Sequence, residues 1–212
     1  GSNGGWGVHS KMKALVYKGP TQLKYQDVAD PVQNDGTQLI RIDSVGICGS
    51  DMHAFLGHDE RRPAPLILGH EAAGVIVGGP RDGEHVTINP LVSCGTCPAC
   101  LAGRDNLCPD RQIISMPPRQ GAFAQWVTMP DQNLVAVPKD IPLEKAALAE
   151  PIACGWHAVK LALAAVRNDR SELKVLVIGG GAIGLGAAIS AQVLGVHNIT
   201  MLEPNEVRRE YL

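Results

Sequence analysis

The chain has 212 residues, 45% of them hydrophobic, which is enough to bury one sizeable core or two modest ones. Its 19 basic and 21 acidic residues give a formal net charge of −2, and this balance argues against nucleic acid as a partner. No apolar run approaches the roughly 18 residues that a membrane-spanning helix needs, so we expect no membrane partner and a cytoplasmic location.

A glycine-rich, polar segment precedes Met12, and residues 1–11 are predicted to be an expression remnant outside the fold. Between residues 12 and 138, short runs rich in Val, Ile or aromatic side chains alternate with Gly, Pro and Asp, as is typical of short β-strands. The pattern predicts an irregular β-rich domain with strands at 13–19, 38–47, 74–79, 85–90, 123–129 and 134–138.

Two short motifs in this domain carry the residue types of a metal site. The segment CGSDMH begins at Cys48 and ends at His53, and His70 precedes Glu71 in LGHEAAG. Cysteine, histidine and carboxylate are ligands of catalytic zinc sites, which use three protein ligands and keep one position open. A lone cysteine is usually a core residue and a lone histidine a satisfied polar group, so only their joint occurrence indicates a site.

Four cysteines stand close together in the next loop, in the spacing C-x2-C-x2-C-x7-C, at Cys94, Cys97, Cys100 and Cys108. Short gaps let successive thiolates turn towards one centre, and the spacing predicts a closed structural zinc site. Disulfides are the weaker alternative, because cysteines this crowded would form strained pairs. Zinc ribbons that bind nucleic acid use the same ligands, but beside this cluster only Arg104 and Arg111 supply positive charge.

After Pro142 the pattern changes to Ala and Leu at helical spacing. The segment predicts a short helix, a break at Pro151 and a longer helix over 152–165, on which the thiol of Cys154 is buried. We place a domain boundary at residue 150, between a β-rich domain of residues 12–150 and a second domain of residues 151–212.

The second domain contains a glycine-rich turn between a strand and a helix. An apolar strand over 175–178, a helix over 182–194 and a second strand over 199–202 predict a βαβ unit with two buried parallel strands. Its turn has the spacing G-x-G-x-x-G, with Gly179, Gly181 and Gly184. Backbone amides at the helix start, including those of Ala182 and Ile183, would face the pyrophosphate of a dinucleotide. The alternative is a plain tight turn of an α/β loop.

An acidic residue, Glu203, follows the second strand at the distance typical of dinucleotide sites. Its carboxylate would accept hydrogen bonds from the adenosine ribose and repel a 2′-phosphate, which favours NAD over NADP. Arg208 and Arg209 temper this prediction, because either could reach a phosphate from the following helix, although solvent exposure or stacking near the adenine is their more ordinary role.

Together these motifs resemble one known family. GICGSDMH, GHEAAG, the four-cysteine loop, EP-x4-WHA and VLVIGGGAIGLGA occur in the order found in the zinc-dependent medium-chain alcohol dehydrogenases, and the chain is most similar to their polyol, sorbitol and threonine dehydrogenase branch. The resemblance covers nearly everything from Met12 to Leu212. It implies an α/β protein with a GroES-like β-barrel catalytic domain, a Rossmann NAD-binding domain, two zinc ions per chain and a homo-oligomer, a dimer or tetramer.

The resemblance also implies roles for particular residues. Cys48 and His70 would be ligands of the catalytic zinc, and Glu71 would lie beside the metal and exchange on and off it. The third protein position falls on Glu150, where alcohol-specific relatives carry cysteine. Cys154 is the rival ligand, but the family pattern gives it no such role.

The implied reaction is hydride transfer between a secondary alcohol, such as a polyol, a sugar or an amino-acid hydroxyl, and NAD. Zinc acts in it as a Lewis acid. The proton would leave from Ser50 through the cofactor ribose to His53, whose alternative role is that of a surface histidine.

Two departures from the family pattern are visible. The loop before His85 is short, and the chain ends at Leu212, in the helix after the second strand of the βαβ unit. We therefore expect a truncated piece of such an enzyme, with an inactive fragment as an alternative. The competing class is a zinc-stabilised binding or structural relative without catalytic activity.

Overall fold

The computed structural model describes residues 11–212, so the predicted remnant lies outside the described residues except for Lys11, which begins the first strand. The described chain forms two compact units. The first ends at Leu148 and is called the N-terminal unit; the second, Ala149–Leu212, is called the C-terminal unit. Among the described residues, no helix is long and apolar enough to cross a membrane.

The N-terminal unit is built mainly from short antiparallel strands, as the sequence predicts. In chain order they are β1 (Lys11–Gly19), β2 (Gln22–Ala29), β3 (Thr37–Gly46), β4 (Leu66–Ile67), β5 (Glu71–Val77), β6 (His85–Ile88), β7 (Leu91–Val92), β8 (Gln112–Ile113), β9 (Trp126–Pro130) and β10 (Leu134–Ala136). They form a three-stranded sheet in the order β2-β1-β4, a five-stranded sheet in the order β10-β6-β5-β3-β9, and the pair β7-β8. Three short α-helices accompany them, namely α1 (Gly49–Phe55), α2 (Pro98–Leu101) and α3 (Leu143–Ala146), together with 3₁₀ helices at Asp105–Leu107 and Asp131–Asn133.

The main core of this unit lies against the five-stranded sheet. Strand β5 is largely buried on both faces, and apolar side chains of these strands and of neighbouring segments form one buried cluster. Its members are Ile40, Ala72, Ile76, Val86, Ile88, Ile114, Ala122, Val127, Met129 and Leu134. Helix α3 packs on the same sheet through Leu143 and Ala146, which lie against Ala73.

The register of β3 against β5 determines where the two predicted ligand motifs meet. The strands are antiparallel, and the last pair joins Gly46 at the end of β3 to Glu71 at the start of β5. The residues just beyond this pair, Cys48 on one chain segment and His70 on the other, therefore lie at the same end of the sheet.

The C-terminal unit is a βαβ unit with an additional helix. It consists of α4 (Ala149–Ala165), β11 (Lys174–Ile178), α5 (Ala182–Val193), β12 (Asn198–Leu202) and the short α6 (Glu206–Arg209). Strands β11 and β12 are parallel and in register, as predicted. Helices α4 and α5 pack closely, because Gly155 allows the backbone of Ala187 to approach to a distance that a Cβ at residue 155 would block.

Three local predictions in this part of the chain are wrong. Pro151 does not break the helix: α4 begins at Ala149, and the break lies at Ala147 and Leu148. Proline is tolerated in the first turn because the amides there have no partner within the helix. The thiol of Cys154 is exposed, because α4 buries the face that carries Pro151 and Gly155.

The parallel strands β11 and β12 are not buried on both faces, so the third prediction is also wrong. Exposed and half-buried side chains alternate along β11 and β12, and Leu176 and Ile178 are exposed on the uncovered face. Within the described residues, β11 and β12 form a two-stranded sheet. A continuous apolar run does not distinguish a strand covered on one face from one covered on both.

Candidate metal centres and cofactor site

The four predicted cysteine ligands converge on one point, and residues 94–108 are called the four-cysteine lobe. The sulfur atoms of Cys94, Cys97, Cys100 and Cys108 all lie within 4.8 Å of one another. The Sγ atoms of Cys94 and Cys100 are 3.9 Å apart, and those of Cys97 and Cys100 are 3.5 Å apart. A tetrahedral zinc with Zn–S bonds of about 2.3 Å holds its sulfurs roughly 3.8 Å apart, so these distances fit one zinc ion.

Backbone amides of the lobe stabilise thiolates in this arrangement. The amide of Cys97 donates to Sγ of Cys94 at 3.3 Å, and the amide of Cys100 donates to Sγ of Cys97 at 3.5 Å. Hydrogen bonds from the backbone of Thr96 and Cys97 lower the pKa of the Cys94 thiol to about 6. A thiol that ionises readily is a good metal ligand, and the lobe is a four-cysteine metal site.

The second group comprises Cys48, His70 and Glu71, and is called the open cluster. One ligand atom from each of them lies within 4.8 Å of the others. His70 and Glu71 are buried, and Cys48 is half-buried at the start of α1. A soft thiolate, an imidazole and a carboxylate at this separation fit a zinc ion, and three protein ligands leave a position for a further group.

Asp51, which the sequence analysis did not select, ties the segments of the open cluster together. Its carboxylate accepts a hydrogen bond from the amide of Cys48 through Oδ2 and one from the amide of Gly69 through Oδ1, both at 3.0 Å. Oδ1 also lies 3.6 Å from Nδ1 of His70. Its place within CGSDMH, three residues after a ligand and inside the first turn of a helix, was the available signal.

The charge of Asp51 also alters the titration of His70. Burial disfavours the protonated imidazole, but the nearby carboxylate of Asp51, helped by Cys48, outweighs it and raises the pKa of His70 to about 9. A metal ion entering the cluster therefore has to displace a proton from this ring.

The two residues predicted to carry a proton lie on α1, beside the open cluster. Ser50 is half-buried in the first turn of this helix, and His53 is exposed in its last turn. Their separation of three residues puts them on one face of the helix. The ring of His53 lies 6.5 Å from that of His58, measured between centroids.

The glycine-rich turn connects β11 to α5, and each of its glycines has a different environment. Gly179 has a φ of +104°, which favours glycine. A Cβ on Gly184 would lie 1.9 Å from the carbonyl oxygen of Gly179, so this glycine allows the helix to pack on the strand. A Cβ on Gly181 would meet nothing within 4 Å. Ala182 and Ile183 form the first turn of α5, with their amides at the open end of the helix.

Glu203 lies against the glycine-rich turn. Its Oε2 accepts a hydrogen bond from the amide of Gly180 at 2.7 Å, and Oε1 accepts one from the amide of Asn205 at 2.8 Å. These bonds lower the pKa of Glu203, and each oxygen keeps a lone pair for another donor. Arg209 donates to the carbonyl of Glu203, whereas Arg208 is exposed on α6.

Glu150 lies in the first turn of α4, in the C-terminal unit. Its Oε1 is 3.8 Å from Sγ of Cys154, one helical turn further on. The two candidates for the third ligand position are thus neighbours on one helix face.

Comparison with known proteins shows which family this chain resembles. Residues 34–139, half of the chain, match the family model for the alcohol dehydrogenase GroES-like domain. The chain is 37% identical to L-galactonate-5-dehydrogenase of Escherichia coli K12 over 210 residues, and 36% identical to sorbitol dehydrogenase of Bacillus subtilis 168 over 212 residues. Each match covers 96% of this chain and 59% of the relative, so the chain spans less than two thirds of their length.

A solved structure from Escherichia coli CFT073, described as a short chain alcohol dehydrogenase complexed with NADH, superposes with a TM-score of 0.82. It is 31% identical, and the match covers 95% of this chain and 59% of that one. The chain belongs to the zinc-type medium-chain alcohol dehydrogenase family, as the resemblance of its motifs implied. Within that family, two of the relatives it matches are named for polyol or sugar-acid substrates.

Proposed function

We propose that the protein is a zinc-dependent oxidoreductase that transfers hydride between a secondary alcohol and NAD. The observation that carries the proposal is the open cluster, in which Cys48, His70 and Glu71 converge while a separate lobe supplies a closed metal site. A protein that needed zinc for stability alone would have no use for the second, open set of ligands.

The proposed cofactor site is the turn between β11 and α5, as the first βαβ unit of a Rossmann domain. The open space at Gly181 allows a pyrophosphate to approach the backbone, and the amides of Ala182 and Ile183 would bind it. Glu203 would accept ribose hydroxyls on the oxygens already fixed by Gly180 and Asn205. Arg208 would lie near the adenosine side of this site.

When bound in the open cluster, zinc supplies Lewis-acid chemistry that lowers the pKa of a substrate hydroxyl. Cys48 and His70 would hold it, Glu71 would exchange on and off it, and Glu150 would provide the third protein position. His70 and Glu71 are buried, so solvent has little access to these two side chains.

The chain's own side chains then have to remove the hydroxyl proton. We assign this task to Ser50 and His53 of α1, which would carry the proton from the substrate hydroxyl towards solvent. Exposure of His53 suits the last step, because a solvent-exposed imidazole can hand a proton to water. The names of the relatives support polyols and sugar acids as the substrate class.

Zinc analysis of the purified chain tests the metal part of the proposal. We expect about two zinc ions per chain, and about one in the paired substitution Cys48→Ser with His70→Ala. One zinc ion in the unaltered chain would contradict the open site and favour a zinc-stabilised binding relative.

The choice of cofactor and substrate is tested with protein isolated from its natural source. The assay measures reduction of NAD in the presence of polyols, sugar acids, threonine or simple secondary alcohols. We expect NAD to be preferred over NADP, and Glu203→Ala to narrow that preference. A preference of the unaltered protein for NADP would contradict the role of Glu203. Two bound zinc ions without turnover of any such alcohol would instead exclude the proposed reaction.

A further inference from the structure

A buried hydroxyl lies behind the imidazole of His70. Ser115 follows β8, is 0% exposed, and places its Oγ 3.3 Å from Nδ1 of His70. Its backbone has a φ of +65°, in the left-handed region that costs a residue with a Cβ about 1 kcal/mol or more. The surrounding structure must therefore hold this serine in place.

A buried ion pair holds the backbone of Ser115. Nε of Arg62 donates to the carbonyl oxygen of Ser115 at 3.0 Å, and Nη1 of the same guanidinium is bonded to Asp59. Arg62 is 6% exposed and the side chain of Asp59 is 8% exposed. A buried guanidinium is costly without a partner, so this pair fixes the position of the carbonyl to which it is tied.

The oxygens near Nδ1 of His70 are not equivalent. Oδ1 of Asp51 lies 3.6 Å away, beyond ordinary hydrogen-bond distance, and both oxygens of Asp51 already accept backbone amides. Oγ of Ser115 lies closer, at 3.3 Å. An oxygen at Nδ1 fixes the orientation of the ring and leaves Nε2 for a metal ion.

We propose that Ser115, held by the ion pair of Arg62 and Asp59, is a positioning residue that orients His70 for metal binding. The proposal rests on the proposed open metal site. It extends that site by a polar chain from Asp59 through Arg62 and Ser115 to His70. Ser115 touches a ligand and not the reacting atoms, so its loss should weaken the metal site before it affects the fold.

The test compares two substitutions of one residue. Ser115→Gly removes the hydroxyl and suits the positive φ, whereas Ser115→Ala removes the hydroxyl and keeps the backbone cost. Chelator competition on the zinc-loaded chain measures the affinity of each metal site, and thermal unfolding measures stability. Both variants should bind zinc in the open cluster about 10-fold less tightly or worse, with zinc binding in the lobe unchanged, and the glycine variant should unfold at the higher temperature.

One control and one further variant separate an effect on the orientation of His70 from an effect on folding. Ser190 on α5 is also buried, and its hydroxyl bonds to the carbonyl of Gly186, so Ser190→Ala should leave both zinc affinities unchanged. Arg62→Lys loses the bond from Nε to Ser115 and should weaken the same zinc as Ser115→Gly does.

The outcomes distinguish this inference from the proposed function. If the unaltered chain binds two zinc ions and Ser115→Gly binds both equally well, Ser115 does not position His70 and the inference is overturned. If the unaltered chain binds zinc in the lobe alone, the open metal site itself is absent and both proposals fail.

Discussion

The four-cysteine lobe and the open cluster hold their ligands in opposite ways. The lobe draws every ligand from residues 94–108, where backbone amides donate to the sulfurs. The open cluster brings together Cys48 and His70 from separate segments, through the register of β3 and β5 and the carboxylate of Asp51. A local site depends on its metal to stay folded, whereas a site built on a sheet depends on the sheet.

The largest expected effect is the contrast between Cys94→Ser and Cys48→Ser. Loss of the lobe metal should cost about 4 kcal/mol, the stabilisation given by a ligand at a thousandfold excess over its dissociation constant, and lower Tm by roughly 10 °C. Cys48→Ser should lose the open-cluster metal with a much smaller change in Tm. Calorimetry with parallel zinc analysis measures both, and equal losses of Tm would abolish the contrast.

A substitution in the sheet tests whether zinc binding in the open cluster depends on the position of Glu71. A Cβ on Gly46 would lie 2.2 Å from Oε2 of Glu71, so Gly46→Ala should displace this carboxylate. We expect a loss of about 2 kcal/mol in binding of the open-cluster zinc, or roughly 30-fold in affinity, with zinc in the lobe unaffected. Gly49→Ala is the control, because a Cβ there meets nothing within 4 Å. Equal zinc affinities in the two variants would show that the position of Glu71 is unimportant.

The third ligand position gives a test that separates two candidate ligands, with a smaller expected change in zinc affinity. If Glu150 completes the open cluster, Glu150→Gln should weaken its zinc about 10-fold, while Cys154→Ser should be nearly silent. The two side chains are neighbours on α4, so each substitution is a control for the other. An essential Cys154 and a dispensable Glu150 would indicate the thiolate-rich site of alcohol-specific relatives.

The smallest expected effect concerns acid stability. Hydrogen bonds from Arg61, together with Arg62, hold the pKa of Asp59 at about 2 in the folded chain, against an ordinary value of 3.8. Its stabilisation is complete above about pH 4 and is lost as pH falls through 2, because the unfolded chain then binds the proton more readily. The free energy of unfolding should fall by about 1 kcal/mol over this range, and the fall should be absent in Asp59→Asn. Urea titrations between pH 5 and pH 2 measure this difference.

The sequence predicted the lobe better than the open cluster. The spacing alone was enough to predict that the four thiols converge, because short gaps between cysteines restrict the conformations of the chain. Cys48 and His70 were selected by residue type, but their proximity follows from which strands pair, and spacing does not determine that. Nothing in IISMPP pointed to Ser115, which meets His70 only through the path of the loop after β8.

The same limit explains the errors in the fold. Each of the eight predicted strands overlaps an observed one, because β-branched residues and turn residues mark strands locally. Pro151 and Cys154 were misjudged because their environment depends on where α4 begins and on which of its faces meets α5. Burial of a helix face is decided by its partner and not by its own residues.

Asp51 gives the open cluster a property that the ligands alone would lack. One carboxylate holds the amides of Cys48 and Gly69, so folding has already restricted both ligand segments before an ion arrives. Metal binding therefore costs little conformational entropy of these two segments, because they are already ordered in the folded chain, and the site is preorganised. Hydrogen exchange at these two amides should therefore be slow and alike in the metal-free and zinc-loaded chains.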